Sequence, residues 1–524
     1  MEEDKSKKNL VLIFFIGVIL RLYKLGEHNL WHDEAFMVFL CQYPFKVVSN
    51  IILQGPLHML MVKYFIHMTN ANEFFLRLPA MFFGCISIPL LYFFVKLLFN
   101  KKIAIIASFL LAVSPFHIWY SQELARYSQA MFFGLWANYL FVRFLKDDKR
   151  WIWLLLIIVQ TLSFYTSYIL FLALAPQLII VLMPAYRKKI KIWMLSTVIA
   201  LFLFCPLAKI FYTHFNSVND KFWIPNISFF DIYILFCNFN LGYTVSPNVF
   251  LICIVLLLGL IVSGLKSSII NYKRAILIVG IFFIIPLGAL LIISLSTPIF
   301  ISRIAIPFYP YYLVFLSLGI ESYRRINLQK GIIFFLILLN TFSLVNYFNY
   351  KIPSKKEYHI GVFERIPIQP VVDYLKNRVQ DDDIIAFSNS SYDFPFYYYW
   401  GEGYKSFYFI FPEVQDIYYR GIFYKNKKVR KSYRTDLLSL SNYKKDPVFY
   451  DNYGYRGSYY IDLTGKRFLK FNRIWLVSGG WEKNYKLDHN SQAVIDWMRA
   501  NYLLVSEKWI NGVLVGHYSK PEIK

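Results

Sequence analysis

The sequence predicts a polytopic α-helical membrane protein of about eleven spans, with juxtamembrane helices in one external loop and an external C-terminal α/β domain. Three observations carry this expectation. Of 524 residues, 57% are hydrophobic and 17% charged, against about 25% charged in a soluble domain. Apolar runs of about 17 to 25 residues, the length that crosses ~30 Å of hydrocarbon as helix, recur through residues 10–349 and then stop. Basic residues gather in alternate connections, which an ordinary soluble enzyme has no reason to do.

The expected spans are 10–25, 77–98, 103–118, 128–145, 151–166, 168–184, 192–212, 248–264, 275–295, 305–320 and 331–349. Lys5, Lys7 and Lys8 precede the first, and Arg21, Tyr23 and Lys24 follow it where a small-residue cleavage site would stand, so it reads as an uncleaved helix with a cytoplasmic N-terminus. The clusters Lys96/Lys101/Lys102, Arg143/Lys146/Lys149/Arg150, Arg187/Lys188/Lys189/Lys191, Lys266/Lys273/Arg274 and Arg324/Arg325/Lys330 then all lie in cytoplasmic loops. Segment 56–69 is apolar but short and interrupted by Lys63, which suits an interfacial helix. Counting it as a span would move every later basic cluster outside. Residues 26–76 therefore form one external loop, and an odd number of spans leaves 350–524 outside.

The chain divides into a membrane module, 1–349, and an external domain, 350–524. The second part reads as a helix near 368–380, a strand 384–388, a tyrosine-rich segment 394–400, a strand 474–477, a helix 491–501 and strands near 502–507 and 513–518. The stretch 415–470 has weak periodicity and reads as loops. Of the net charge of +24, residues 350–524 carry 27 basic and 19 acidic side chains, a balance of +8, which leaves +16 for the membrane module. No nucleic-acid-binding motif accompanies the charge, so nucleic acid is not a partner; the lipid bilayer is. Cys41, Cys85, Cys205, Cys237 and Cys253 stand singly and indicate packing rather than disulfides or zinc.

Ionisable groups near membrane depth cost about 2.5 to 3.5 kcal/mol even on the lenient insertion scale, so they mark function or paired structure. Trp31-His32-Asp33-Glu34-Ala35 follows the first span; adjacent carboxylates there can divide into a proton acceptor and a binding group, or Asp33 can simply cap a helix. Ser114 to Tyr127 holds Glu123 and Arg126 three apart, either an internal ion pair or an acid and a cation facing a polar ligand. Arg77-Leu78-Pro79 and Ser302-Arg303 supply guanidinium groups suited to a lipid phosphate or to headgroup snorkelling. His32, Asp33 and Glu34 are consecutive and cannot all converge from a regular helix, so no metal site is read. A divalent cation bridging a carboxylate and a phosphate is the alternative.

The order Trp-x-Asp-Glu-Ala, Arg-Leu-Pro and Ser-Pro…Ser-Gln-Glu-x-Ala-Arg-Tyr resembles the GT-C glycosyltransferases of the protein O-mannosyltransferase and aminoarabinose transferase group, in particular the family 39-like membrane proteins of bacteria and archaea. The resemblance covers about 1–349, including Phe222-Trp223-Ile224-Pro225, and more loosely Arg473 to Val477. It implies a GT-C fold in a plasma membrane and transfer of a sugar, with inversion, from a polyprenyl-phosphate-linked donor to a glycan, lipid or protein acceptor at the outer face. By that resemblance Asp33 is the general base and Glu34 its catalytic neighbour, while Arg126 and Arg303 hold the donor phosphate. Glu123, Tyr127, His58, Arg77 and Trp223 are substrate contacts, His58 against the plainer reading of a surface residue on an interfacial helix. Gln54-Gly55-Pro56-Leu57-His58 departs from the Pro-Pro-x-Tyr-Tyr pattern of many relatives, and Ala125-Arg126-Tyr127 lacks their usual proline, which bears on selectivity. The competing functions are a flippase or transporter of lipid-linked sugars, and a glycan polymerase or ligase; a transporter would show internal repeats and midplane charges, and only Lys209 lies deep in a span.

Overall fold

The computed structural model describes residues 2–41, 55–69, 72–219, 224, 226–242, 244, 247–323, 325–349, 351, 366–380, 383–388, 392–401, 407–411, 458–462, 472–479, 487 and 489–521. The membrane module consists of α1 (Glu2–Leu22), α2 (His32–Cys41), α3 (Pro56–Thr69), α4 (Glu73–Leu98), α5 (Lys101–Ala112), α6 (Pro115–Ser121), α7 (Tyr127–Lys146), α8 (Arg150–Thr166), α9 (Leu174–Leu182), α10 (Ile190–Phe204), α11 (Ala208–Asn219), α12 (Phe229–Leu241), α13 (Pro247–Ser296), α14 (Tyr309–Ser322) and α15 (Ile326–Phe348). Five stretches among the described residues are long and apolar enough to cross a membrane, six if the bent pair α5–α6 counts as one; α8, α12 and Tyr168–Leu182 are shorter apolar helices.

Local chemistry sets the boundaries around the site. Asn72, Asn100 and Ser114 each cap a helix through a side-chain oxygen that accepts from a backbone N–H, and Pro115 begins α6, where its missing N–H costs nothing. The expected span 103–118 accordingly breaks after Ala112 and bends by 59° into α6. The connection expected between spans 248–264 and 275–295 is instead a kink within α13 at Tyr272. Its hydroxyl accepts from Asn100 and its ring meets Phe99 at 5.4 Å, so side chains of the α4–α5 connection anchor the turn. The expected span 168–184 opens as a 3-10 turn, Tyr168–Ala173. Helices α13 and α14 cross in backbone contact: a Cβ on Gly319 would lie 2.3 Å from the Leu260 carbonyl oxygen.

The C-terminal part adds α16 (Gln369–Lys376), β1 (Ile384–Phe387), α17 (Asp393–Trp400), β2 (Phe407–Phe411), β3 (Ser458–Asp462), β4 (Arg473–Gly479), α18 (His489–Asn501), β5 (Leu503–Ile510) and β6 (Val513–Ser519). Its sheet runs β3-β2-β1-β4-β6-β5, parallel through β4 and antiparallel beyond. Asn511 and Gly512, both at positive φ, close the β5–β6 hairpin. Alternation along β1 and β4 serves two cores: Ile385, Phe387, Trp475 and Val477 face α16 and α17, while Ile384, Ala386, Ile474 and Leu476 face α18. The tyrosine-rich segment 394–400, given no secondary structure from the sequence, is helical. One expectation changes: 458–462, read as loop, is a strand, because pairing with β2 supplies what its short, irregular pattern does not announce.

The first of these two cores also contains Leu30, Ala35, Val38 and Phe39 of the first-loop segment and Met59 and Val62 of α3. The sheet domain is thus packed directly onto the helices that carry Asp33 and His58.

Candidate functional site

Asp33 and Glu34 lie in the first turn of α2, about 100° apart around its axis, and the helix sends them different ways. Glu34 is fully buried and accepts from Arg77 through both oxygens, Nε to Oε1 at 3.0 Å and Nη2 to Oε2 at 2.8 Å. It also accepts from the Leu124 backbone N–H at 2.7 Å and from Trp31 N–H at 3.4 Å, so Glu34 rather than Asp33 satisfies the start of α2. Asp33 keeps a side chain 54% exposed, with Arg303 Nη2 3.9 Å away.

Arg77 donates as well to the carbonyls of Leu25, His28 and Asn29. A guanidinium has five N–H donors, and those of Arg77 are all engaged. The expected substrate contact at Arg77 is therefore a clamp: the residue binds the loop around Asp33 and has no donor left for a phosphate.

The turn expected between the third and fourth spans is mostly buried helix. Glu123 accepts from Trp119 Nε1 at 3.1 Å and lines a cavity of about 70 Å³ together with Asp33, Met37, His58, Arg126 and Tyr127. Arg126 precedes α7, and its guanidinium carbon is 5.6 Å from the centre of the Tyr127 ring. Arg303, on the 3-10 turn Ser302–Phe308, is also 5.6 Å from that ring and 5.8 Å from Trp31. Tyr127 therefore has a guanidinium at each of two contacts, and one of these groups also faces Asp33. Desolvation lowers the Arg126 pKa, and the like charge of Arg303 acts in the same direction. An anion placed between the two cations would relieve that repulsion.

His58 is buried, not a surface residue of an interfacial helix. Its Nδ1 donates to Gln129 Oε1 at 3.1 Å, and Nε2 is buried without a hydrogen-bond partner. Burial pushes the imidazole down to about 4, with Arg126 contributing and the Gln129 bond opposing, so the ring is neutral at pH 7 with an acceptor at Nε2. Gly55, at φ +85°, lets the chain pass Arg126: a Cβ there would sit 2.7 Å from Arg126 Cδ. Trp223 lies outside the described residues. Among those described, no three His, Cys, Asp or Glu side chains group as metal ligands.

Sequence reasoning passed over a further buried guanidinium beneath this turn. Arg21 donates to the carbonyls of Gly17, Leu111 and Ala112 and to His117 Nδ1 at 2.7 Å, while Gln122 donates to the Arg21 and Tyr23 carbonyls. A cation at the last carbonyls of α5 complements the helix dipole and fixes the α5–α6 bend. The signal available was an arginine closing an apolar run, followed by Tyr23 and Lys24.

Residues 54–210 match the family model for dolichyl-phosphate-mannose-protein mannosyltransferase. The structure of ArnT from Cupriavidus metallidurans in the apo state is similar over 98% of each chain, with a TM-score of 0.62 at 9% identity. ArnT from the same organism bound to undecaprenyl phosphate is similar over 97% of each, with a TM-score of 0.58 at 10% identity. The archaeal oligosaccharyltransferase AglB from Archaeoglobus fulgidus, in complex with an inhibitory peptide and a dolichol-phosphate, gives 0.47 at 11% identity over 99% of this chain and 75% of that one. No curated protein sequence matches this one. The family match and the shared fold bear out the likeness to GT-C glycosyltransferases and the reading of the chain as a multi-pass membrane glycosyltransferase.

Arg77→Met leaves a fully buried carboxylate without its cation and should destabilise the protein by about 3–5 kcal/mol. Thermal unfolding in lipid nanodiscs measures this, and pairing the change with Glu34→Gln, which removes the stranded charge, should recover much of the loss. An unchanged midpoint for Arg77→Met alone would show that the pair does not hold this loop.

Proposed function

We propose that this chain transfers a sugar from a polyprenyl-phosphate-linked donor to a glycan, lipid or protein acceptor at the outer face of a plasma membrane, with inversion at the anomeric carbon. One observation carries the reading: an exposed carboxylate, Asp33, borders a cavity shared with Arg126 and stands beside Arg303. The topology that goes with it has eleven spans, a cytoplasmic N-terminus and residues 350–524 outside, which keeps the basic clusters inside. The family match and the undecaprenyl phosphate bound to ArnT, a protein of the same fold, support a lipid-phosphate donor.

In this mechanism Asp33 takes the proton of the acceptor hydroxyl as its oxygen forms a bond to the anomeric carbon. The bond from that carbon to the phosphate oxygen breaks on the opposite side, and the electron pair leaves with the phosphate. Arg126 and Arg303 stabilise the added negative charge, which a phosphate leaving group needs more than it needs a proton. Glu34 acts through geometry: its bonds to Arg77, Leu124 and Trp31 fix the turn from which Asp33 projects. Neutral His58 offers Nε2 to a substrate hydroxyl, with Gln129 setting the tautomer. Glu123 and Tyr127 complete the lining, and Trp223 is retained as a substrate contact on the motif likeness.

Asp33→Asn should fold and bind donor while turnover falls at least ~100-fold, the scale of a lost general base; turnover near that of the wild type would discard the assignment. Arg126→Ala should weaken binding of the phosphate carrier in a titration with donor lipid. Unchanged affinity would remove Arg126 from the phosphate site.

A further inference from the structure

Helix α17 reaches the segment before Asp33 through the Tyr399 hydroxyl. Tyr399 Oη accepts from the Leu30 backbone N–H at 2.8 Å and donates to Glu73 Oε1 at 2.9 Å. Leu30 precedes Trp31, whose ring faces Arg303 and whose N–H donates to Glu34. Five residues earlier in α17, the Phe394 ring lies 5.1 Å from His32, 4.6 Å from Phe36 and 5.4 Å from Phe39. His32 and Phe36 flank Asp33 on α2, so α17 grips the entry to that helix by a hydrogen bond on one side of Asp33 and by ring contacts around it. Burial, and next the Glu73 carboxylate, raise the pKa of the Tyr399 phenol, which keeps the proton it donates.

These contacts constrain a group that is otherwise loosely held. Asp33 is half exposed, and its nearest cation is at the outer limit of an ion pair. Its position therefore follows from the backbone of Leu30 to Glu34. The inner end of that backbone is tied by Glu34 and Arg77; at the outer end the Asn29–Leu30 peptide is held on its carbonyl side by Arg77 and on its N–H side by Tyr399, which belongs to the sheet domain.

We propose that Tyr399 is a positioning residue for Asp33, so that the C-terminal domain is a working part of the catalytic apparatus rather than an appended module. The proposal rests on Asp33 as the general base. A displacement of about 1 Å in a reacting group can lower a rate by ~100-fold, and Tyr399→Phe keeps the ring and its packing while leaving the Leu30 N–H without its partner.

The test uses the full-length protein in lipid nanodiscs and a polyprenyl-phosphate sugar donor that supports turnover. Single-turnover rate and the number and affinity of donor sites are measured for Tyr399→Phe, Glu73→Gln, Tyr374→Phe and Asp33→Asn. Tyr399→Phe should react about 10-fold or more slowly with donor stoichiometry and affinity within about twofold of the wild type, a loss confined to the chemical step. Glu73→Gln retains an acceptor for the hydroxyl and should keep most of the rate. Tyr374→Phe, in α16 beside Arg378 and Lys508, should be unchanged. Tyr399→Phe reacting at the wild-type rate, with Asp33→Asn inactive, would overturn the positioning role and leave the base in place. A loss of rate matched by an equal loss of donor sites would overturn it too, as a purely structural effect. An active Asp33→Asn would remove the base and the positioning role together.

Discussion

The buried pair of Glu34 and Arg77 is the constraint around which the rest of the site is arranged. Two opposite charges withdrawn from water at the end of a helical bundle persist only when each is fully hydrogen-bonded. Here the requirement is met by backbone groups from three separate places: carbonyls of the segment leaving α1, the N–H of Trp31 at the start of α2, and the N–H of Leu124 ahead of α7. Satisfying the charges thus fixes the relative positions of the segments that carry Asp33, Glu123 and Arg126. A structural ion pair of this kind sets geometry more than it adds stability.

With that frame in place, the electrostatics of the cavity follow from unequal exposure. Carboxylates adjacent in sequence divide their work because the helix turns one inward and leaves the other to solvent. Arg126 and Arg303 converge on Tyr127, and Arg303 also faces the Asp33 carboxylate. His58 adds a neutral acceptor whose tautomer is set by Gln129. Asp33, the two guanidinium groups and the His58 acceptor are the groups that the proposed glycosyl transfer from a phosphate would use.

Much of this was legible from the chain alone. Apolar runs and alternating basic clusters announced the helices, and the order of Trp31 to Ala35, Arg77 to Pro79 and Ser114 to Tyr127 singled out most residues that meet at the cavity. What the sequence could not separate was the role of each charged member. The resemblance singled out Asp33 as base but left Glu34 a catalytic neighbour and not a buried partner of Arg77, and the saturation of Arg77 depends on carbonyls 48 to 52 residues away. For His58, expected as a substrate contact, the plainer reading of a surface residue came from a short, mixed helix; the residue is buried, with Gln129 of α7 bonded to its ring. In the sheet domain, β2 and β3 are held by partners distant in sequence, whereas Asn511-Gly512 at the hairpin is a strictly local signal. Trp223 remains an inference from motif alone.

The most direct measurement of the central claim is release of radiolabelled sugar from a panel of polyprenyl-phosphate sugars by the purified protein in lipid nanodiscs, with crude cell-envelope material as acceptor. The account predicts cleavage of at least one donor, dependent on the lipid phosphate, with the label appearing in an acceptor. Binding or movement of the lipid across the bilayer, with every donor in a broad panel left intact, would contradict it and favour a lipid-linked-sugar flippase.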